Sequence, residues 1–349
     1  AHHHTLWSRN PDYRPEHLDQ MVLERSAFEY WSHAASYLPM RDYRFALPKM
    51  MSIRRGESSY FKNVDRKCER DVYERIRIDG PLRARDFESS SEQSGSWWNW
   101  KPTKRALEKL FMQGDLMITR REGMQKVYDL TERVLPADTD VSEPSNKQLA
   151  QYLLEAALCV NGFATVKQLT YLRSGKALRK SVQAVLNEKI EQGELAEFQA
   201  QGVPLVYAQP EIFETRIRIP STSLRLLSPF DNAIIHRDML SNLFSMDYKL
   251  ECYVPKQKRQ YGYFCLPILW KDNLIGRVDC KAHRKNHHLE LLHLHLEDPK
   301  LDLESFMPAF LKGVKRFAVF NGCDKVSVLR VSPGKLKPHF HSAFKAILD

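Results

Sequence analysis

Two clusters of cations in this chain are spaced for contact with an anionic polymer. The first is Pro255-Lys256-Gln257-Lys258-Arg259-Gln260-Tyr261. It lies between two runs rich in aromatic and β-branched residues, Tyr248 to Tyr253 and Tyr261 to Leu269, and so reads as a basic hairpin tip. Across residues 251–284, seven bases (Lys256, Lys258, Arg259, Lys271, Arg277, Lys281 and Arg284) face three acids (Glu251, Asp272 and Asp279). Cations interleaved with aromatics can follow a phosphate ridge or enter a minor groove. The same charges can also blunt a sheet edge against aggregation. The second cluster opens a helix, Lys101-Pro102-Thr103-Lys104-Arg105, and continues in a hairpin carrying Arg120, Arg121 and Lys126. A helix of this kind can enter a major groove while its hairpin reaches phosphates. The alternative is that these are solvated surface charges.

Other chemistries find less support. His283, His287, His288, His293, His295, His339 and His341 invite a metal reading, but no carboxylate or cysteine spacing completes a four-ligand zinc site. No Gly-x-Ser-x-Gly elbow frames a nucleophile, and no Walker or dinucleotide glycine loop is present. No metal and no cofactor are therefore expected.

The elements that must carry the cations form a repeat. Val64 to Ile78 reads as a helix with Cys68, Val72 and Ile76 on one stripe. Asp79-Gly80-Pro81 breaks it, and a short helix is expected from Pro81 to Phe87. After a Ser/Gly loop, Thr103 caps a third helix with Leu107, Leu110 and Phe111 inward, and Gly114 ends it. Leu116 to Thr131 reads as a hairpin turning at Glu122-Gly123. Residues 145–213 repeat the plan. Ser145-x-x-Gln148 is a capping box opening a helix with Leu149, Leu153, Ala156 and Val160 inward. A short helix, Thr165 to Leu172, and a longer one, Lys176 to Gln192, follow, and then a hairpin, Leu195 to Ala208. Gln113-Gly114-Asp115-Leu116 even aligns with Gln192-Gly193-Glu194-Leu195. Three helices and a hairpin make a winged helix. The second copy is richer in acids and is expected to act mainly as a scaffold.

The first 50 residues resemble the second half of a further copy, with a helix from Pro15 to Arg25 and a hairpin from Phe28 to Leu38. The two helices that would precede them are missing, so the chain is expected to start inside a domain. From Ile217 the pattern changes to strands, including Leu274 to His283 and Leu289 to Leu296. In the first of these, Val278, Cys280 and Ala282 alternate with Arg277, Asp279, Lys281 and His283. A helix from Leu303 to Asn321 and a strand from Lys325 to Val331 close the pattern. The expected fold is α+β, with tandem winged helices followed by an antiparallel β-barrel-like domain. The expected divisions are 1–60 (part of a first winged helix), 61–136, 144–213, 217–332 (barrel-like) and 333–349 (a poorly ordered tail).

Composition agrees with a nucleic-acid partner. Lys and Arg total 53 against 43 acids in 349 residues, a formal charge of +10. No window approaches eighteen apolar residues, so no membrane-spanning helix is expected. The amino terminus has no apolar signal core. Six cysteines without a C-x-x-C pair fit a reducing, cytoplasmic compartment.

Several blocks, taken in order, resemble the YcaQ/AlkZ family of bacterial DNA glycosylases, and the YcaQ branch more than AlkZ. They are Phe28-Glu29-Tyr30-Trp31-Ser32-His33-Ala34-Ala35-Ser36, Gly95-Ser96-Trp97-Trp98-Asn99-Trp100-Lys101-Pro102, Val127-Tyr128-Asp129-Leu130-Thr131-Glu132-Arg133-Val134, Leu227-Ser228-Pro229-Phe230-Asp231, and Tyr253-Val254-Pro255 with Lys258-Arg259-Gln260-Tyr261-Gly262-Tyr263-Phe264. The resemblance implies three winged helices and a β-barrel. It also implies monofunctional release of N7-alkylated purines, including those in interstrand crosslinks. The partner would be alkylated or crosslinked double-stranded DNA, bound by a nucleoid-associated monomer. The family's Gln-x-Asp or Gln-x-Gln motif lies upstream of the segment that Ala1 to Arg9 resembles. No residue here matches it, so no catalytic residue is carried over, and the leading histidines read as native. Trp31 and His33 are candidates for a pocket wall, and Arg9 for a phosphate contact near it; a packed hairpin histidine is the alternative for His33. The alternative function is a non-catalytic winged-helix DNA-binding protein, either a regulator or a pseudo-glycosylase.

Overall fold

The computed structural model describes residues 2–32, 34–87, 102–173, 175–200, 202–216, 218–220, 223–298 and 301–348. The chain opens with helices α1 (His2–Arg9) and α2 (Pro15–Leu23), the hairpin β1 (Ala27–Trp31) and β2 (Ala35–Pro39), and α3 (Leu47–Arg54). Next come α4 (Arg66–Asp79), β3 (Leu82–Arg83), α5 (Pro102–Met112), β4 (Leu116–Glu122), β5 (Gln125–Leu130) and α6 (Thr131–Val134). The following stretch holds α7 (Asn146–Asn161), β6 (Phe163–Ala164), α8 (Val166–Leu169), α9 (Lys176–Glu191), β7 (Ala196–Phe198) and β8 (Val206–Ala208). The last part holds β9 (Leu224–Leu226), α10 (Asn232–Ile235), α11 (Arg237–Phe244), β10 (Leu266–Trp270), β11 (Asn273–His283) and β12 (His288–Leu296). It ends with α12 (Leu303–Phe320), β13 (Lys325–Val328), β14 (Val331–Ser332) and α13 (Lys337–Leu348).

Local signals account for many boundaries. Asp65 caps α4, its carboxylate accepting from Lys67 N at 3.0 Å, and Gly80 at φ +83° ends it. Ser145 and Gln148 form the expected capping box at α7, exchanging bonds of 3.2 and 2.9 Å. Thr165 and Gln168 form another at α8, which stops at Leu169. In α7 the buried residues are Leu149, Ala150 and Leu154; the expected stripe is thus displaced, with Ala156 and Val160 exposed. The short helix expected from Pro81 to Phe87 is instead β3 and a 3-10 turn. Leu82 pairs with Tyr128 in a ladder, which a helix would not allow, and the Asp86 carboxylate accepts from Arg83 N at 2.8 Å across the turn.

Two compact units result, one of Tyr13–Ala156 and Leu169–Glu188, the other of Ala1–Asp12, Ala157–Gln168 and Lys189–Asp349. In the first, called here the helical unit, one core takes Phe28, Tyr30, Tyr43, Leu47 and Met50 together with Val72, Ile76, Leu107, Leu110 and Phe111. The large apolar residues of the β1–β2 hairpin are therefore covered by α4 and α5. Sheet β3-β5-β4 completes this core, with Ile118 opposite Tyr128.

The second unit, the sheet unit, corrects the barrel expectation. Its large sheet runs β13-β12-β11-β10-β9, with β14 also beside β12. Among the described residues β13 and β9 are not paired, so the sheet stays open. Nor is it wholly antiparallel, because β12 pairs in parallel with β13 and β14. The chain leaves β12 and returns through α12, and a helical crossover is what parallel pairing requires. Phe306, Phe310, Val314 and Phe317 of α12 lie in one core with Ile268, Val278, Leu291 and Leu294. The expected poorly ordered tail is instead α13. Phe340 and Phe344, one turn apart, enter the same core, and Phe340 meets Phe310 at 5.4 Å, edge to face. Burying such a ring contributes about 1.5–3 kcal/mol, enough to hold a terminal helix. At the other end of the chain, α1 runs beside the edge strand β9. His4 Nε2 bonds the Leu226 carbonyl at 2.7 Å, and Trp7 stacks on Phe320 at 4.6 Å.

Candidate nucleic-acid interface

The segment from Tyr253 to Phe264 is not the tip of a hairpin. Tyr248 to Tyr253 is coil ending in a 3-10 turn, and the next strand begins only at Leu266. The reason is a competing set of bonds. The Glu251 carboxylate accepts from the backbone N–H groups of Gln260, Tyr261 and Gly262 at 2.9, 2.8 and 3.1 Å. Asp279 accepts from those of Tyr263 and Phe264 at 2.8 and 3.2 Å. With these donors engaged, residues 260–264 cannot join a ladder. Burial alone would push the Glu251 carboxyl up, but its three N–H donors outweigh that and hold it below the ordinary range. Gly262, at φ +155°, is demanded by the fold, because a Cβ there would sit 2.2 Å from Asp279 Oδ2.

This strapped loop presents Lys256 and Lys258 to solvent on a 3-10 turn. Arg259 is half-buried. Its Nε donates to the Val254 carbonyl at 2.8 Å, and its guanidinium lies 4.8 Å over the Tyr263 ring. Tyr253 and Tyr263 are 85% and 54% exposed, so two aromatic rings flank the cations. Exposed tyrosines beside lysines can stack on bases and bind phosphates together.

Arg277 must be withdrawn from the expected interface. Strand alternation places it on the outer face of β11 with Lys281, but the loop covers that position, and Arg277 is 2% exposed. It donates to Glu297 Oε1 at 2.6 and 2.9 Å and to the Asp247 carbonyl at 2.9 Å. Its guanidinium lies 4.0 Å from the Tyr261 ring and 5.6 Å from Tyr248. It supports the loop from below. Lys281 and Arg284, further along, are exposed. Lys281 stands opposite Glu290 in register, and Arg284 reaches Asn321 Oδ1 at 3.5 Å.

In the helical unit, Lys101 and His33 lie outside the described residues. Lys104 is exposed on α5, and Arg105 donates to the Tyr60 carbonyl at 2.9 Å. Arg120 is half exposed and pairs with Glu122 at 2.9 Å. Arg121 is a second correction. It clasps the buried Glu29 carboxylate with two bonds of 2.7 Å, and Lys126 adds a contact at 3.2 Å. The hairpin folds back onto β1, so this arginine neutralises an internal acid instead of reaching outward. Burial would raise the Glu29 carboxyl, but Arg121 and Lys126 together hold it below its ordinary value. Trp31 is 42% exposed, with Lys49 Nζ 5.3 Å over its ring.

Arg9, expected as a phosphate contact, grips Asp231 through bonds of 2.7 and 3.1 Å. Asp231 is 1% exposed and also caps α10 through Ala233 N at 2.9 Å. Arg9 thus anchors α1, although 46% of its side chain remains exposed. Sequence reasoning counted Glu251 and Asp279 only as charges and missed their part in strapping the loop. The available signal was an acid within each of two strand-like runs, together with Gly262 in an aromatic stretch. Among the described residues, no group of three or more His, Cys, Asp or Glu converges as metal ligands. No helix among them is long and apolar enough to cross a membrane.

Helix–hairpin segments and an open sheet bearing a preorganised loop of lysines and tyrosines make up a mixed α+β body suited to a polyanion. The chain belongs to the AlkZ-like DNA glycosylase family, whose model (DNA glycosylase AlkZ-like) matches residues 1–320. Among solved structures, the chain is similar to the Streptomyces sahachiroi DNA glycosylase AlkZ. The likeness has a TM-score of 0.55 at 18% identity and covers 90% of this chain and 85% of that one. At that identity, what the two share is the fold.

Proposed function

We propose that this protein binds double-stranded DNA and acts in repair as a monofunctional glycosylase on N7-alkylated purines, including those in interstrand crosslinks. The helix–hairpin segments serve as winged helices. Lys104, Arg105 and Arg120 contact phosphates in the helical unit, and Lys256, Lys258, Arg259, Lys281 and Arg284 do so in the sheet unit. The observation that carries this reading is the strapped loop with Tyr253 and Tyr263 exposed beside its cations, in a chain whose family is that of DNA glycosylases. An N7-alkylated guanine carries positive charge and leaves readily. The enzyme must then stabilise an oxocarbenium-like sugar and direct a water to it.

A specific observation favours a second reading, a non-catalytic DNA-binding protein. The buried carboxylates among the described residues are Glu29, Asp129, Asp231, Glu251 and Asp279. Glu29 and Asp231 are held by arginines, Asp129 by Leu130 N and Arg133, and Glu251 and Asp279 by loop N–H groups. Each already has a structural task, so none is assigned the water-directing role. The test measures 7-methylguanine release from a duplex, and binding to damaged and undamaged duplexes of equal length, with the protein as its gene encodes it. Release establishes the enzyme reading. Tight binding without release or preference for damage establishes the second, and an absence of duplex binding at moderate salt defeats both.

A further inference from the structure

We propose that the outward face of α12 is a second contact surface for the sugar–phosphate backbone of duplex DNA, formed by Lys312, Lys315 and Arg316; it rests on the DNA-binding reading above. The core decides which face of α12 is outward. Phe306, Ala309, Phe310, Val314, Phe317 and Ala318 are buried; Glu304, Ser305 and Pro308 are exposed in the first turns, and beyond them positions 312, 315, 316 and 319 are exposed. Three of these four are cations, at spacings of three and four residues that bring like charges together on one side. No acid occurs between residues 305 and 323. None of the three cations forms an ion pair among the described residues. Asp324 lines a groove beside Lys315 without pairing to it.

Ordinary helix electrostatics do not explain the cluster. A cation stabilises a helix from its last turn, and the last turn of α12 holds none. Simple edge protection does not explain it either, because α12 is not a strand. Arg316 is also preordered. Its guanidinium lies 5.7 Å over the Trp7 ring, and Trp7 is itself stacked on Phe320. Trp7, Arg316 and, from β9, Arg225 line one small cleft of about 70 Å³. Repulsion among the three cations is relieved by phosphates, and a pinned guanidinium loses little freedom on meeting one. The charge complementarity therefore points to a polyanion, and the family supplies duplex DNA as that polyanion.

The experiment measures the salt dependence of binding to an undamaged duplex for the full protein, for Lys312→Ala/Lys315→Ala, and for Lys312→Arg/Lys315→Arg. Circular dichroism and melting confirm that each variant folds. Two lost phosphate contacts lower the slope of log K against log salt by about 1.8, and the arginine pair restores it. An unchanged slope in the folded alanine variant overturns the surface. If Lys256→Ala/Lys258→Ala lowers the slope while the α12 variant does not, DNA binding stands and this surface falls. If the parent protein shows no salt-dependent duplex binding, both fall.

Discussion

Glu251 and Asp279 divide between them the backbone N–H groups of five consecutive residues, 260 to 264. The two acids stand on different elements, one in a 3-10 turn and one on β11, so Glu251 fastens the loop's two ends to each other and Asp279 ties its far end to the sheet. Charge-assisted bonds of this kind are about twice as strong as neutral ones. The exposed cations are therefore held in place before any ligand arrives, which lowers the ordering cost of binding.

The strap gives the first prediction. Glu251→Gln weakens three charge-assisted bonds and costs about 2–3 kcal/mol of local stability. Amide exchange at residues 260–262 accelerates, and the contribution of Lys256 and Lys258 to the DNA salt slope shrinks. Combining Glu251→Gln with Lys256→Ala/Lys258→Ala adds little further loss of binding. Full additivity in that cycle would show that the loop does not depend on the carboxylate.

Acid stability provides the second. Both Glu251 and Glu29 titrate below their ordinary value of 4.5 when folded. A depressed folded pKa means that the stabilisation is complete above the unfolded value and is lost as pH falls through the folded one. Unfolding free energy, measured by urea at each pH, is therefore insensitive to these two groups from neutrality down to about 4.5, and declines below it. The gap between parent and Glu29→Gln narrows over the same acid range. A gap that stayed constant down to pH 3 would mean that the paired state of Glu29 is misassigned.

Arg277 and its surface neighbours separate support from contact. Arg277→Ala removes a buried cation from beside two tyrosine rings and leaves the partly exposed Glu297 without its partner, costing about 1.5–3 kcal/mol. Lys256→Ala/Lys258→Ala leaves the melting temperature nearly unchanged and lowers the DNA salt slope by about 1.8. The reverse pattern, with Arg277 acting on the slope and the lysines on stability, would contradict the placement of both.

Gly262→Ala tests the packing of the strap. A Cβ at φ +155° would meet the Asp279 side chain, with Oδ2 at 2.2 Å and Cβ at 2.4 Å, while that carboxylate is held by the N–H groups of Tyr263 and Phe264. The variant is destabilised by about 1–3 kcal/mol, within the range for overpacking. Melting measures this, and Gly334→Ala is the milder comparison, because its φ is not positive and nothing lies within 4 Å of its added carbon.

What depends on near neighbours was legible along the chain: the apolar period of α4, α5 and α9, the caps at Asp65 and Ser145, the repeat of helices and hairpins, and the positive charge of residues 256–259. These follow from bonds and contacts within a few residues along the chain. Which cations are available depends on contacts between residues distant in the chain. Arg277 and Lys281 share one strand face by alternation, yet one is buried under residues 247–264 and the other is exposed. Arg121 turns inward because the buried charge of Glu29, some ninety residues earlier, takes it and Lys126 as partners. A period of two tells on which side of a strand a side chain lies, but not what will cover that side. For the same reason the open, partly parallel sheet and the docked α13 escaped a reading of local pattern. They are set by the crossover through α12 and by Phe340 and Phe344 finding a core whose other walls lie far away in the chain.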